Sequence, residues 1–180
     1  MENRYKQDEG NDCMLSVDRV DCRIEKPAVS KWASHKFKYK PGVRYELGVG
    51  IKSGDICWLN GPYPAGEYPD IKIFTETLMQ ELDEGERVET DKGYRGHTTK
   101  CKVPGPLYAD QVQYLEMKKR VAARHETINN RLKFFTCLDK RFRHSMAKHA
   151  SCFRAVCVLV QLSFESGEPA FNVDYSDLKN

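Results

Sequence analysis

The stretch Arg87-Val88-Glu89-Thr90-Asp91-Lys92-Gly93-Tyr94-Arg95-Gly96 decides the fold of this 180-residue chain. It predicts a β-strand that ends at Asp91 and turns into a glycine-containing loop. Glu126 follows after 34 intervening residues, inside a long helical pattern, and Asp18 ends the apolar run 13–17 far upstream. Carboxylates at two strand ends and on one helix form the donor set that hard divalent cations need in phosphoryl-transfer sites. The sequence therefore predicts one metal site shared by Asp18, Asp91 and Glu126.

The composition is that of a folded protein with a single domain. Of its residues 40% are hydrophobic and 31% are charged, which excludes a disordered chain, and the length suits one core. The longest apolar run, 155–160, is far below the roughly 20 residues that span a bilayer. Residues 1–9 are too polar for a signal peptide. An intracellular location is expected, in the nucleus if the protein is eukaryotic and otherwise in the cytoplasm.

The seven cysteines do not indicate a metal site or a disulfide framework. They are scattered, odd in number and without a C-x-x-C pair, whereas zinc sites use closely paired ligands and secreted scaffolds are shorter. His144, His149 and Cys152 have no second pair of ligands to complete a site. Reduced, mostly buried thiols are the prediction.

The net charge is only +3, but basic and acidic residues are segregated along the chain. Acids outnumber bases seven to one from 76 to 91, and bases outnumber acids ten to two from 118 to 148. A second basic run covers 31–44. Basic surfaces beside an acidic site suit a nucleic-acid enzyme, although charge segregation alone is equally typical of ordinary solvated faces.

Apolar alternation predicts four strands and a short fifth one. Their ranges are 13–24, 43–51, 56–60, 88–91 and 98–103. The turn Ser53-Gly54-Asp55 joins the second strand to the third, so these two are expected to form a hairpin. Residues 30–40 are predicted to be a polar, basic loop.

Three helices are predicted, over 70–85, 108–135 and 151–164, because apolar side chains recur there at intervals of three or four. In the second helix Glu126 and Lys133 lie away from the apolar face, which is left to pack on the sheet. This order of elements predicts an α/β fold, with one mixed sheet of about five strands flanked by helices.

The predicted domain covers 13–165, with a flexible N-terminal tail at 1–12 and a polar tail at 166–180. Within it, Asp70 has two interpretations. It follows Pro69 and precedes an apolar helix, which favours an N-cap whose carboxylate accepts hydrogen bonds from the first turn. The alternative is an active-site acid.

Four motifs within residues 13–165 occur together in a known family. They are Val17-Asp18-Arg19-Val20-Asp21, Asn60-Gly61-Pro62-Tyr63-Pro64-Ala65-Gly66 with Asp70, Thr90-Asp91-Lys92-Gly93-Tyr94, and Glu126 followed seven positions on by Lys133. With these motifs the chain resembles the PIF/Harbinger-like DDE endonuclease domain and related bacterial insertion-sequence transposases, within the ribonuclease-H-like superfamily.

This resemblance implies a ribonuclease-H-like fold and the metal-dependent DNA endonuclease and strand-transferase core of a DDE transposase. Asp18, Asp91 and Glu126 would be the catalytic acids and would hold two Mg²⁺ or Mn²⁺ ions. The partner implied is double-stranded DNA at transposon ends, with a separate DNA-binding accessory protein and further copies of the chain as other candidates. No membrane partner is expected.

The same resemblance implies that Lys133, one to two helical turns beyond Glu126, contacts DNA phosphate. Arg131 and Arg124, on the same helix, complete the predicted DNA-binding set. For all three, an ordinary solvated helix charge is the competing interpretation.

The chain departs from the family pattern at several points. Arg19 stands where a glycine usually follows the first aspartate, and Lys119 and Ala122 occupy the places of a usual Tyr and Arg. Asp18 lies so near the start that the helical DNA-binding region that usually precedes it is expected to be missing. A domesticated or truncated relict, acting as a non-catalytic DNA-binding or protein-interaction module, therefore stays open as the alternative, and so does an enzyme acting on RNA–DNA hybrids.

Overall fold

A computed structural model describes residues 13–27, 29–97, 99–104, 112–171 and 173. The strands of this part of the chain are β1 Cys13–Arg23, β2 Ala33–Ser34, β3 Lys40–Gly50, β4 Ile56–Pro64, β5 Arg87–Thr90 and β6 Cys101–Lys102. Its α-helices are α1 Asp70–Glu76, α2 Val112–Phe134, α3 Thr136–Asp139 and α4 Met146–Glu165. The predicted α/β fold, a mixed sheet flanked by helices, is confirmed and is consistent with a ribonuclease-H-like arrangement.

β1 is the central strand of the sheet. It pairs antiparallel with β3 on one side and parallel with β5 on the other. β4 continues the sheet beyond β3, and β6 continues it beyond β5, in parallel. The predicted hairpin is therefore present as β3 and β4, and the strand that ends before Asp91 lies next to the strand that carries Asp18.

Successive side chains of β1 point to opposite faces of the sheet. Val20 and Cys22 belong to an apolar cluster with Ile128 of α2 and Phe153 of α4. On the other face, Val17 packs in a second cluster that includes two side chains of α1, Phe74 among them. Helices thus cover both faces, and a residue's parity along β1 decides which helices it meets.

Several elements differ from the sequence predictions. The helix that begins at Asp70 ends at Glu76, and a 3₁₀ turn at Leu78–Glu81 continues the chain. Thr77, between them, has φ −134° and ψ −89°, which are not helical angles. β4 extends to Pro64, and α3 and the two-residue β2 were not predicted. Of the predicted strand 98–103, the described residues 99–103 form only β6, and residue 98 lies outside the described residues.

The last helix begins earlier than predicted because Ser145 caps it. The Ser145 Oγ accepts a hydrogen bond from the Lys148 amide, 3.4 Å away, and satisfies one free donor of the first turn. The predicted start of the second helix at 108 lies outside the described residues. No helix of the described ranges is both long and apolar enough to cross a membrane.

The described residues after α4, 166–171 and 173, pack against the domain, whereas the rest of the predicted tail lies outside the described residues. Ala170 and Val173 are buried. Arg131 donates to the backbone oxygens of Glu168 and Pro169 and so fixes this segment to α2. The predicted N-terminal tail, 1–12, lies outside the described residues.

Candidate active site

Asp18 and Asp91 lie side by side. Val17 of β1 is paired in parallel with Thr90 of β5. Asp18 and Asp91 directly follow these two residues in sequence and are therefore neighbours. Neighbouring strands are about 4.8 Å apart. Both aspartates line the same cavity, whose volume is about 120 Å³. The sheet thus brings together two carboxylates that are 73 positions apart in sequence.

Each aspartate is oriented through one oxygen. The Arg19 amide donates to Oδ1 of Asp18 at 2.7 Å, and the Gly93 amide donates to Oδ1 of Asp91 at 2.7 Å. The second oxygen of each carboxylate has no hydrogen-bond partner among the residues that the structure describes. Two fixed carboxylates with one open oxygen each are suitable donors for a hard divalent cation, so this pair fits the metal that the sequence implies.

Burial raises the pKa of Asp18 to about 6, and the neighbouring charge of Asp91 acts in the same direction. The hydrogen bond from the Arg19 amide lowers it only in part. A buried carboxylate beside a like charge favours the protonated form until a cation neutralises the pair. The Asp18 environment is therefore electrostatically unfavourable in the absence of a positive charge.

The third predicted acid, Glu126, lies on α2 but is not joined to the aspartates. The helix faces the cavity with Ala122 and His125, and Glu126 follows Ala122 by one turn. Its side chain is exposed. Within the described residues, no group of three or more His, Cys, Asp or Glu side chains is arranged to hold a metal ion. The structure thus brings two of the three predicted acids together.

His125 fixes α2 to the sheet beside the site. Its Nε2 lies 2.9 Å from the backbone oxygen of Ser16; because a carbonyl can only accept, Nε2–H donates. Burial lowers the pKa of His125 to about 4. The imidazole is therefore neutral at physiological pH and is no phosphate-binding cation. Its role is to hold the helix that carries Glu126 against β1.

The three predicted DNA-binding side chains are engaged within the protein. Arg124 is 1% exposed and donates to the backbone oxygens of Gly50 and Ile51. The Lys133 ammonium donates to the backbone oxygens of Asp21 and Leu138. Arg131 binds the segment after α4, as described above. This placement corrects the sequence interpretation: Arg124 is a core residue, and the other two charges are directed to backbone oxygens.

Other basic side chains flank the two aspartates. Lys92 directly follows Asp91, and Arg95 lies three residues further on; both are exposed. Lys36 is also exposed, and its charge acts on Asp18 by lowering its pKa. The basic run around Lys36 is visible in the sequence, but nothing there connects it with the site. Only the charge of this run is visible in the sequence. Residue 36 comes near β1 through the pairing of β3 with β1, which joins residues that are distant in sequence.

Asp70 is not a helix cap. The N-cap position of α1 is Pro69, with no capping side-chain bond. Instead, the buried Asp70 carboxylate forms ion pairs with Arg19 and Arg44. Arg19 alternates onto the face opposite Asp18, so its side chain, which stands where the family usually has a glycine, does not occupy the metal-binding side.

A model of the DDE superfamily endonuclease family matches residues 17–161. The matched range holds Asp18, Asp91 and Glu126 and coincides with the sheet and helices α1 to α4 up to residue 161. No curated protein and no solved structure matches the chain. The match covers well over half of the sequence and agrees with the fold. The chain therefore belongs to the DDE superfamily endonucleases.

Proposed function

We propose that this domain cleaves DNA phosphodiester bonds in a metal-dependent reaction, as the nuclease and strand-transferase core of a transposase. Asp18 and Asp91 are the principal metal ligands, and Glu126 is the third acid. One observation carries the proposal: Asp18 and Asp91 directly follow Val17 and Thr90, the last pair of the parallel β1–β5 ladder, and each keeps one oxygen fixed by a backbone amide and one oxygen open. Asp91 thus lies at a strand end as predicted, whereas Asp18 lies inside β1. Divalent ions bound there would activate a water or 3′-hydroxyl and neutralise charge on the leaving oxygen.

The chain's own residues contribute orientation and charge. The amides of Arg19 and Gly93 hold the two carboxylates so that their open oxygens need no rearrangement on binding. The exposed ammonium groups of Lys36 and Lys92 would hold a DNA phosphate beside the pair. Glu126 would have to turn toward the aspartates from its exposed position on α2, whose backbone His125 fixes.

A plasmid-nicking assay with Mg²⁺ or Mn²⁺ tests the proposal. The wild-type protein is expected to nick supercoiled DNA only when the metal is present. Asp91→Asn is expected to lower the rate at least about a thousandfold, because a ligand and its charge are lost together. Asp83→Asn, which removes an exposed acid elsewhere, should leave the rate unchanged. Unchanged nicking by Asp91→Asn would contradict the assignment.

DNA binding is expected to depend on Lys36 and Lys92. The logarithm of the DNA-binding constant falls linearly with the logarithm of the salt concentration. Each phosphate contact that is lost reduces the magnitude of this negative slope by about one. The double variant Lys36→Ala/Lys92→Ala should therefore bind a DNA duplex more weakly and with a slope smaller by about two. Fluorescence anisotropy from 50 to 300 mM salt measures both quantities.

Arg154→Ala is the matched control for that experiment. Arg154 is an exposed base on α4, next to β4. β4 pairs with β3, so Arg154 lies beyond β3 from the central strand β1. Its removal should leave the slope as in the wild type. Equal slopes in the double variant and the wild type would place the DNA on another face.

A second candidate function is a non-catalytic relict that binds DNA or protein. The exposed Glu126, which does not complete the acid cluster, is the observation that favours it. Isothermal titration with Mn²⁺ separates the two functions. If the protein is an enzyme, the wild type should bind Mn²⁺, and Asp18→Asn or Asp91→Asn should abolish this binding. If it is a relict, no Mn²⁺ binding should depend on these carboxylates.

A further inference from the structure

A buried ion network occupies the face of β1 opposite Asp18 and reaches the loop that carries Asp91. Arg44, which is 7% exposed, donates from Nε and Nη2 to the two oxygens of Asp21, at 2.8 and 3.0 Å. Its third nitrogen, Nη1, lies 3.0 Å from Oδ1 of Asp70 and donates to the backbone oxygen of Tyr68. Arg19 donates to the other Asp70 oxygen. Two acids and two bases thus neutralise one another.

The two arginines come from neighbouring strands, and Asp70 comes from α1. Arg19 directly follows Asp18 on β1. The network therefore joins the start of α1 to the strand position next to the first metal-binding acid. Asp70 is 3% exposed, so its position is fixed by these partners rather than by solvent.

Asp70 also packs against the loop that carries the second acid. A Cβ placed on Gly93 would lie 2.5 Å from Oδ2 of Asp70 and 2.9 Å from Oδ1 of Asp91. Real Cβ atoms do not approach oxygens this closely, so glycine is required here by the close approach of two carboxylates. Gly93 is also the residue whose amide orients Asp91. One carboxylate thus contacts Arg19, beside Asp18, and Gly93, which holds Asp91.

We propose that Asp70 is a positioning residue, which together with Arg19 fixes the loop of Asp91 relative to the strand of Asp18. On this account the Arg19–Asp70 pair and its contact with Gly93 set the separation of the two carboxylates, and Asp70 itself touches neither a metal nor DNA. The inference rests on the proposed metal-binding function of the aspartate pair. It predicts that disturbing Asp70 or Gly93 weakens metal binding even though neither residue supplies a ligand.

The test compares variants of Asp70 and of two residues that it contacts, Arg19 and Gly93. Asp70→Asn and Gly93→Ala are expected to weaken Mn²⁺ binding by about 10- to 100-fold in isothermal titration, the usual effect of a lost outer partner. Arg19→Met, at a side chain that is 39% exposed, should have the same effect with less risk to folding. Arg19→Lys, which keeps the charge, should restore most of the affinity.

Asp21→Asn is the matched control. It removes a buried carboxylate from the same Arg44, but Asp21 has no contact with Gly93 among the described residues. It should lower the unfolding temperature as Asp70→Asn does and leave the Mn²⁺ affinity within about twofold of the wild type. If Asp70→Asn and Asp21→Asn change the affinity equally, or if neither changes it, the positioning role is overturned.

Two further arms separate this inference from the proposed function. Wild-type binding that is lost in Asp91→Asn establishes the aspartate pair as the metal site, whatever the network variants do. Absence of Mn²⁺ binding by the wild type would overturn the function, and the positioning role with it. Unaltered affinity in Asp70→Asn, Gly93→Ala and Arg19→Met, with binding still dependent on Asp91, would overturn the positioning role alone.

Discussion

Asp18→Asn is expected to make the metal-free protein more stable while abolishing its response to metal. The pKa of Asp18 is raised from 3.8 to about 6. Above pH 6 the carboxylate is charged in both the folded and the unfolded state, and the folded state bears the cost of its burial beside Asp91. Asparagine removes that cost and can still accept the hydrogen bond from the Arg19 amide. The gain is on the order of 3 kcal/mol.

The dependence on pH follows from the direction of the shift. A raised carboxyl pKa stabilises the folded state fully below pH 3.8, and this contribution is lost as the pH rises through about 6. The stability difference between Asp18→Asn and the wild type should therefore be small near pH 4 and complete near pH 7. Thermal unfolding in EDTA at both pH values measures it, with Asp83→Asn as the control for removal of an exposed acid.

Manganese should reverse the order of stability. A ligand that binds only the folded protein stabilises it by about 4.1 kcal/mol at a thousand times its Kd, which exceeds the gain from Asp18→Asn. The wild type gains this amount near pH 7, whereas Asp18→Asn does not, because one of its two carboxylate ligands is gone. A variant that is less stable than the wild type in EDTA would contradict the repulsion argument. Equal stabilisation of both proteins by Mn²⁺ would contradict the role of Asp18 as a ligand.

Lys118→Met is expected to lower the free energy of unfolding by about 3–5 kcal/mol. Lys118 and Glu89 are 8% and 2% exposed, and their charged atoms are 2.6 Å apart. Removing one partner of a buried ion pair leaves the other charge without compensation, which is the costly case. The Tyr114 hydroxyl still donates to Glu89, 3.0 Å away, but it supplies no positive charge. Urea unfolding of the two proteins gives the difference.

The adjacent residue provides the control for Lys118. Lys119 pairs with Glu116, but these side chains are 73% and 60% exposed, so Lys119→Met should change stability by less than about 1 kcal/mol. The double variant Lys118→Met/Glu89→Gln removes the uncompensated charge and should recover more than half of the loss. Failure of the double variant to recover would show that the loss comes from packing rather than from charge.

The two strands that bring Asp18 and Asp91 together could be predicted from sequence because the signals of each strand are local, although their pairing with one another is not. Alternation gives each strand, and the glycine loop after Asp91 marks where one of them ends. The start of α4 could also have been found, since Ser145 is a favoured N-cap residue three positions before the Lys148 amide that it binds. These features need only a few neighbouring residues.

The roles of the charged residues could not be predicted in this way. Arg124 lies between Ala123 and His125 with no local sign of burial, and its partners are backbone oxygens 73 and 74 positions away. Asp70 has the sequence context of a cap, but Arg19, 51 positions away, binds its carboxylate. A long basic or acidic side chain goes where buried polar groups need a partner, and only the fold determines where that is.

The order of strands in the sheet has a consequence for how the site is assembled. β1, β3 and β4 include a hairpin close in sequence, whereas β5 joins β1 from about seventy residues away and is four residues long. The hairpin of β3 and β4 forms readily because its strands are close in sequence. The parallel pairing of β1 with β5 has the larger entropic cost, because it closes a longer loop. Local opening of the β5–β6 edge would then carry Asp91 away from Asp18 while the hairpin side stays intact. A cation bound by Asp18 and Asp91 would hold that edge closed. It would therefore slow amide hydrogen exchange most strongly in β5.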